Sequence, residues 1–370
     1  MSSKPVVLYG ASGYTGRLIA EFLREYQIPF IAAGRNREKI EAAMAVVPGI
    51  ETADYEVVEV QHEVDALAAL FADAEVVCNT VGPFLYYGET VVQACLASNT
   101  HYLDTGGEIP ALTQFKEEYG SAFAERNLVL APSVAYMFSI MEIAAHKVLE
   151  TDGIDSLSGV CAPTLVPTVG SFQTIFAMFQ NAKDSFYLQD NKRALWPTAT
   201  GYEVAIPGHP ETFLGHPWGG GSLPFYFEDD PRVRNVRQLT ATADRSLTEG
   251  VLAMQKVYEE EIKDLPKDQQ EKRLAEFGTS QQATMPPREN RLVHRCVDSV
   301  HGSGLFEEVT CTIRTSCGYL TTGAIQAVVA HFLLNGGQRA SGFTSACGAI
   351  GHRELYSQLK LLGLVDMQIS

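Results

Sequence analysis

The sequence predicts an α/β fold: a Rossmann-type doubly wound parallel sheet with a second mixed α+β domain. Three observations support this prediction. Segments typical of strands and helices alternate over the first 135 or so residues, as in a parallel sheet covered on both faces. A glycine-rich turn joins the first predicted strand to the first predicted helix. After residue 150 the chain is rich in Gly, Pro, Thr and aromatic residues, which favours a separate sheet domain.

The glycine-rich turn carries the clearest functional signal. An apolar run at 6–8, typical of a buried parallel strand, is followed by Gly10, Gly13 and Gly16 and then by an amphipathic helical pattern. The spacing is G-x-x-G-x-x-G, a variant of the dinucleotide fingerprint G-x-G-x-x-G. A strand that turns through glycines into a helix presents free N–H groups and the positive dipole end at one point. The turn therefore predicts a pyrophosphate site.

The end of the second predicted strand indicates which dinucleotide binds. NAD-binding sites normally have Asp or Glu here, to hold the ribose 2′-hydroxyl. The apolar run 29–33 leads instead to Arg35, with Arg37 and Lys39 close behind. Arginine suits a 2′-phosphate, so the sequence predicts NADP(H). The alternative is that Arg35 is an ordinary surface charge.

The remaining elements predict three segments along the chain. Residues 1–135 form the Rossmann domain, 136–320 a substrate-binding and dimerisation domain, and 321–370 C-terminal helices that pack back on the Rossmann domain. Further strands are predicted at 56–60, 74–80, 100–104, 128–131, 291–300 and 308–315, the last two separated by a turn at 301–304. Helices are predicted at 64–71, 90–97, 172–182, 247–277 with a break at Pro266, 322–334 and 353–362.

Composition limits the possible partners and compartments. The formal net charge of −16 argues against nucleic acid or an anionic membrane as the main partner. Seven cysteines are scattered without a C-x-x-C pair, which predicts reduced thiols and no metal site. We find neither a signal-peptide pattern nor a stretch suited to spanning a membrane, and expect a cytoplasmic protein.

Two further segments give the chain a family resemblance. They are Asn79-Thr-Val-Gly-Pro-Phe84 with Tyr87-Gly88-Glu89, and the segment 100–108, THYLDTGGE. Together with GASGYTGR they resemble the saccharopine dehydrogenase-like oxidoreductases, including the trans-acting enoyl reductases. The resemblance covers about the first 110 residues well and 318–330 loosely. Relatives often carry an acidic turn after the sixth strand, and the corresponding segment 133–138 lacks the acid.

The resemblance implies a set of cofactor-binding residues and a homodimer. The phosphates would contact Gly10, Ser12, Gly13, Tyr14, Thr15 and Gly16, and the 2′-phosphate would contact Arg35, with Asn36 and Arg37 beside it. The ribose and nicotinamide would lie along Thr80, Val81, Gly82 and Pro83, with Thr105 and Gly106 beside the nicotinamide ring.

Three residues are candidates for catalysis. Asp104 ends the fifth predicted strand, and the alternation of side chains along a strand points it into the expected cleft. Tyr136 and Tyr87 lie in loops at the same edge and could donate a proton. Two alternatives stay open: Asp104 could cap the next turn, and solvent could supply the proton.

The second domain predicts the substrate class. It contains many aromatic residues and few charges nearby, which favours an apolar or aromatic small molecule over a small charged one. These residues are Phe172, Phe176, Phe179, Phe186, Tyr187, Trp196, Trp218, Phe225 and Tyr226. Core packing is the alternative for Phe172, Phe176 and Phe179, which fall at helical spacing.

The functional hypothesis is an NADP(H)-dependent oxidoreductase that reduces a C=C, C=O or C=N bond of a bulky, largely apolar molecule, with enoyl reduction favoured by the resemblance. One rival is an amino-acid or imine dehydrogenase, which needs an arginine to bind the substrate carboxylate. Arg288, Arg291 and Arg314 are the candidates for that role. The other rival is a non-catalytic regulator that senses NADP(H).

Overall fold

The computed structural model describes residues 4–164, 167–179, 185–217, 221–280 and 285–370. Its strands, in chain order, are β1 Val6–Tyr9, β2 Phe30–Gly34, β3 Tyr55–Glu59, β4 Val76–Asn79, β5 His101–Asp104, β6 Val129–Ala131, β7 Ile154–Pro163, β8 Phe186–Gln189, β9 Lys192–Leu195, β10 Tyr202–Val204, β11 Phe213–His216, β12 Asn235–Ala241, β13 Cys296–Gly304, β14 Glu308–Thr315, β15 Gly342–Phe343 and β16 Val365–Ile369.

The helices of the described residues alternate with these strands. They are α1 Tyr14–Glu25, α2 Arg37–Met44, α3 Val64–Phe71, α4 Phe84–Ser98, α5 Ile109–Gln114, α6 Gly120–Glu125, α7 Tyr136–Val148, α8 Val169–Phe179, α9 Leu223–Phe227, α10 Arg245–Val257, α11 Lys267–Ser280, α12 Gly318–Leu334, α13 Ala346–Ile350 and α14 His352–Leu361. Single π-helical turns occur at Phe115–Tyr119 and Tyr258–Ile262, and a 3-10 turn at Ile50–Thr52. None of these helices is both long and apolar enough to cross a bilayer.

The chain divides into two compact units. The first contains the residues up to Gly106 together with Ala111–Ser139 and Tyr319–Leu362. The second contains Gly107–Pro110, Ile140–Gly318 and Gly363–Ser370. Each unit is built around its own sheet.

The sheet of the first unit has seven strands in the order β15-β6-β5-β4-β1-β2-β3. All its neighbouring strands are parallel. The order reverses direction between β1 and β4, and ligands of such sheets bind at the carboxyl ends of the strands at this point. The predicted Rossmann-type fold is confirmed.

Apolar strands explain why this sheet is buried on both faces. β1 and β4 are buried along their whole length. One face packs on α3 and α4 in a cluster that includes Val7, Leu67, Phe71, Val91 and Val92. Continuous burial of this kind is typical of parallel strands and leaves their carboxyl ends as the accessible edge.

The sheet of the second unit is mixed, as the fold-class prediction requires. Its main path runs β10-β11-β12-β7-β13-β14-β16, and β8 pairs with both β12 and β9. β7 pairs in parallel with β12 and antiparallel with β13. The strand β16 was not among the predicted elements: it follows the two helices expected within residues 321–370, and Val365–Ile369 pairs with β14.

The predicted turn at 301–304 is wrong, because these residues continue β13 and the chain turns at 305–307. The glycines that suggested a turn serve close packing instead. A Cβ atom at Gly302 would lie 2.1 Å from a methyl carbon of Val148. At Gly304 it would lie 1.7 Å from the carbonyl oxygen of Gly153.

Candidate cofactor-binding site

The turn between β1 and α1 has no space for side chains at its glycines. Gly10 has a φ of +89°, and a Cβ atom there would lie 2.5 Å from Oγ1 of Thr80. At Gly16 a Cβ atom would lie 2.6 Å from the carbonyl oxygen of Gly10, and at Gly13 it would lie 3.2 Å from the same oxygen. The turn therefore needs glycine for both conformation and close packing, and its backbone at Gly13 is not shielded by a side chain.

The helix α1 begins directly at this turn. Gly13 is its N-cap and provides no side-chain cap, and the first turn has no acidic residue. The amide of Arg17 bonds back to the carbonyl of Gly13 at 3.1 Å. The N–H groups that precede it lack carbonyl partners within the helix and carry the positive end of the helix dipole. Ser12 is exposed and Thr15 is half-buried beside them.

The end of β4 is tied to the glycine turn. The hydroxyl of Thr80 lies 3.1 Å from the carbonyl oxygens of both Tyr9 and Gly10, and its amide donates to Tyr9 at 2.9 Å. The amide of Val81 donates to Oδ1 of Asn79 at 2.9 Å. These bonds fix the start of the loop that continues into Gly82 and Pro83 beside the glycine turn.

Arg35 follows β2 and is exposed, and among the described residues no carboxylate pairs with it. The two residues after it have other contacts. Asn36 caps α2 by accepting the amide of Lys39 at 2.8 Å. The guanidinium of Arg37 lies 3.3 Å from Glu41, and its amide donates to Glu59 at 2.8 Å. Arg35 is thus the arginine of this loop that is left for an added anion.

Three aromatic side chains lie together near Arg35: Tyr9, His62 and Tyr87. The hydroxyl of Tyr9 lies 2.9 Å from Nδ1 of His62, and the ring of Tyr87 meets the His62 ring edge-on with centroids 5.5 Å apart. Burial lowers the pKa of His62, and the charge of Arg35 lowers it further. Burial raises the pKa of Tyr9 to about 12, against the effect of Arg35.

A buried hydrogen-bond network connects the ends of β4, β5 and β6. The amide of Asn79 donates to the hydroxyl of Tyr102 at 3.1 Å, and this hydroxyl donates to Oδ2 of Asp104 at 2.7 Å. Oδ1 of Asp104 accepts the backbone amides of Gly106 at 2.7 Å and Ser133 at 3.2 Å. All of these side chains are buried. The carboxylate therefore holds two loops at the edge of the sheet.

Gln326 of α12 contributes to the same region. Its side-chain amide donates to the backbone carbonyls of Asp104 and Val134, at 2.9 Å each. Gln326 is fully buried in a helix that is otherwise mostly apolar. It lies 222 positions from Asp104 in the chain, so its partner could not be identified from the sequence.

The structure separates the three catalytic candidates. Tyr136 is buried at the start of α7, three residues after Ser133, and its amide donates to Oγ1 of Thr322 at 3.1 Å. It therefore belongs to the Asp104 region. Tyr87 packs on His62, on the side of β2 and β3. Three strand spacings, roughly 14 Å, separate β2 from β5.

Four residues at this edge were not among the predicted site residues: Tyr9, Arg17, His62 and Gln326. Gln326 had a signal, as a polar residue within the apolar pattern of its helix, and Arg17 directly follows the predicted turn at Gly16. Tyr9 and His62 could be found only from the strand order, which brings the ends of β1, β2 and β3 together.

In the second unit, the predicted aromatic residues fall into two groups. Phe172 and Phe179 pack into a cluster with Ile175, Tyr258 and Ile262, which favours core packing for them. Trp196 instead lies between Tyr187 and Tyr202, with centroids at 4.6 and 5.4 Å, and all three rings are half-buried. Trp218 and the side chain of Phe176 lie outside what the structure describes.

The structure also places the cysteines, the metal-ligating side chains and two of the candidate arginines. All seven cysteines are buried thiols, and none of them is in a disulfide within the described residues. In the described part of the chain, no three metal-ligating side chains come together. Arg314 is exposed and lies 3.3 Å from Oε1 of Gln368, and Arg291 is exposed and lies 3.3 Å from the carbonyl of Gly363.

Two family models match the chain. The saccharopine dehydrogenase NADP binding domain matches residues 6–132, and a family of unknown function, DUF5938, matches residues 139–369. The first match confirms the predicted resemblance and the predicted cofactor, NADP(H). The glycine cradle and the unpaired Arg35 fit such a cofactor.

Individual relatives resemble part of the chain. A saccharopine dehydrogenase-like oxidoreductase of Bos taurus is 32% identical over 147 residues, which cover 35% of this chain and 34% of the relative. A trans-acting enoyl reductase of Mycobacterium leprae is 36% identical over 107 residues, 28% of this chain and 25% of the relative. The matches thus span about a third of the bovine relative's length and about a quarter of the mycobacterial one's.

A solved structure resembles the whole chain. Apo saccharopine dehydrogenase (L-Glu forming) of Saccharomyces cerevisiae aligns with a TM-score of 0.64 at 14% identity, over 99% of this chain and 100% of the yeast chain. At this identity the likeness concerns the fold.

Proposed function

Since this chain belongs to the DUF5938 family and carries an NADP binding domain of the saccharopine dehydrogenase type, we propose that it is an NADP(H)-dependent reductase. Its substrate is a bulky, largely apolar molecule with a reducible C=C, C=O or C=N bond. The observation that carries the proposal is a glycine cradle at the switch point of the sheet, with the unpaired Arg35 at the end of the next strand.

The proposal gives each part of the site a task. The turn residues Gly10, Ser12, Gly13, Tyr14, Thr15 and Gly16 bind the pyrophosphate, and Arg35 binds the 2′-phosphate, with Asn36 and Arg37 beside it. The loops at Thr80, Val81, Gly82, Pro83, Thr105 and Gly106 hold the ribose and nicotinamide. When bound, NADPH supplies the hydride for the reduction.

The protein's own contribution to chemistry is orientation and a proton. Asp104 fixes the loops at Gly106 and Ser133 through hydrogen bonds to their amides. The hydroxyl of Tyr136 is the proposed proton donor to the reduced substrate, because Tyr136 is buried beside the Asp104 network and Tyr87 is on the adenosine side.

The substrate class rests on two observations. Tyr187, Trp196 and Tyr202 form a half-buried aromatic cluster in the second unit, and the guanidinium carbon of Arg237 lies 5.3 Å from the centre of the Tyr187 ring. Flat apolar molecules bind well to such rings. Enoyl reduction is the favoured chemistry, since a trans-acting enoyl reductase is similar to 28% of this chain. The predicted homodimer remains a prediction.

The two rival functions make different predictions. An amino-acid dehydrogenase needs an arginine for the substrate carboxylate. Arg291 and Arg314 are exposed, and each makes a 3.3 Å hydrogen bond to a neutral oxygen, so this rival predicts turnover of an amino or imino acid. A regulator that senses NADP(H) would bind the cofactor without turnover.

The test is calorimetric titration with NADPH and with NADH, followed by a screen of apolar enones, ketones and imines for loss of NADPH absorbance. We expect NADPH to bind more tightly and at least one enone to be reduced. Binding without turnover of any substrate class would favour the regulator, and binding of neither nucleotide would refute the proposal.

A further inference from the structure

Arg17 lies on the first turn of α1, directly after Gly16, and its guanidinium carbon is 5.5 Å from the centre of the Tyr14 ring. Side chains of a helix lean toward its N-terminus, and this contact three residues back has that direction. The Tyr14 ring is buried and meets Tyr319 edge-on, with centroids 5.2 Å apart. The charge of Arg17 is therefore held near the start of the helix.

This charge has no anionic partner in the described part of the chain. Nε of Arg17 is buried and makes no hydrogen bond, and no carboxylate forms an ion pair with Arg17. The first turn of α1 contains no acidic residue. At the other end of the same helix, Arg24 also has a buried Nε without a hydrogen bond, but its guanidinium is paired with Glu25.

The position is electrostatically unfavourable for the protein alone. A helix N-terminus carries positive dipole charge, so a cation there is repelled, whereas Arg24 in the last turn is stabilised. A partly buried guanidinium without partners also loses hydration. Both effects reverse when an anion binds at the helix start.

We propose that Arg17 is a pyrophosphate-binding residue, held in place by the ring of Tyr14, which in turn packs against Tyr319. This inference rests on the proposed cofactor function and adds a division of labour to it. The pyrophosphate is common to NADP(H) and NAD(H), so Arg17 contributes equally to both. Arg35 alone distinguishes the two cofactors.

Calorimetric titration of four proteins tests this: wild type, Arg17→Gln, Arg17→Lys and, as a control on the same helix, Arg24→Gln. We expect Arg17→Gln to weaken NADPH and NADH by the same factor, about tenfold, as for a lost charge-assisted hydrogen bond. Arg17→Lys should recover part of the loss, because it keeps the charge but not the planar donor array. Arg24→Gln should bind as wild type does.

Thermal unfolding without nucleotide is a second measurement, in which we expect Arg17→Gln and Arg24→Gln to shift the midpoint in opposite directions. Arg17→Gln should raise the midpoint by about 1–2 °C, because it removes a repelled charge, and Arg24→Gln should lower it. A purely structural role for Arg17 would instead lower the midpoint and leave affinity unchanged.

The outcomes separate this inference from the proposed function. If wild type binds NADPH and Arg17→Gln binds it equally well, the inference is overturned and the proposed function stands. A loss confined to NADPH also overturns it, since Arg17 would then contact the 2′-phosphate. If wild type binds neither nucleotide, both fall.

Discussion

The hydroxyl of Tyr102 donates a 2.7 Å hydrogen bond to the carboxylate of Asp104, and both side chains are completely buried. Burial raises the pKa of Tyr102 well above its usual value, and the neighbouring charge of Asp104 raises it further. The hydroxyl thus stays protonated, as a donor must. Because Asp104 also accepts the amides of Gly106 and Ser133, this pair sets the positions of two loops at the sheet edge.

Removing the Tyr102 hydroxyl should therefore loosen that edge. We expect Tyr102→Phe to cost about 1–3 kcal/mol of unfolding free energy, since it leaves Asp104 and Asn79 with buried groups that have lost a partner. NADPH affinity should fall while the preference over NADH is unchanged. Denaturant titration and calorimetry measure the two effects. Tyr55→Phe is the matched control, because the Tyr55 hydroxyl makes no hydrogen bond to any residue that the structure describes; equal effects in both variants would contradict the assignment.

The roles of Asp104 and Tyr136 in turnover should differ. Asp104→Asn keeps an oxygen that can accept the amides of Gly106 and Ser133, so we expect kcat to fall by less than about tenfold. Tyr136→Phe should reduce kcat by about a hundredfold or more, as for loss of a general acid. Steady-state kinetics with a substrate found in the enone screen measures both. The reverse ranking would make Asp104 the proton donor.

Cofactor preference should depend on Arg35. We expect Arg35→Asp to weaken NADPH binding by about a hundredfold and to leave NADH affinity similar or better, because it replaces the cation with a repelling carboxylate. The exposed Lys256, on α10, offers a control of equal charge change in Lys256→Asp. Unchanged NADPH affinity in the Arg35 variant would refute the 2′-phosphate assignment.

Two glycine-to-alanine changes should have opposite effects. Gly16→Ala places a Cβ atom 2.6 Å from the Gly10 carbonyl oxygen and 2.9 Å from Cα of Ala11, so it should cost about 1–3 kcal/mol and weaken cofactor binding. At Gly250, inside α10, a Cβ atom meets nothing within 4 Å. Gly250→Ala should stabilise the protein by about 0.4–1 kcal/mol through helix propensity. Thermal unfolding compares them; a tolerated Gly16→Ala would show that the turn can open.

Stability should fall on acidification below pH 6.5. Burial lowers the pKa of His101 to about 4, and its Nδ1 accepts the amide of Val129 at 2.9 Å. The unfolded chain therefore binds a proton between pH 6.5 and 4 that the folded protein does not. This favours unfolding by about 1.4 kcal/mol per pH unit for one such group. His101→Gln should reduce the slope of unfolding free energy against pH in this window; an unchanged slope would exclude His101 as a source.

Local sequence patterns predicted the structure best where pattern and function coincide. Three features could be identified because each has a short, regular sequence pattern: the turn of Gly10, Gly13 and Gly16, the strand that ends before Arg35, and the helix at 64–71. Residues whose role depends on contact with a distant part of the chain have no such pattern. Gly302 and Gly304 looked like a turn because their reason, contact with Val148 and Gly153, depends on a packing partner distant in sequence. Gln326 stands out as a polar residue in an apolar helix, but its partners Asp104 and Val134 are too distant in sequence to be predicted.

The first unit is assembled from segments that are synthesised far apart. β15 pairs with β6, and Gln326 bonds to Asp104 and Val134, yet the second unit's residues up to Gly318 come between them in the chain. During translation, the sheet of the first unit therefore stays incomplete until the second unit's residues up to Gly318 have been synthesised. Until α12 emerges, the carbonyls of Asp104 and Val134 lack their Gln326 partner, so the cofactor edge is among the last parts of this protein to acquire its final hydrogen bonds.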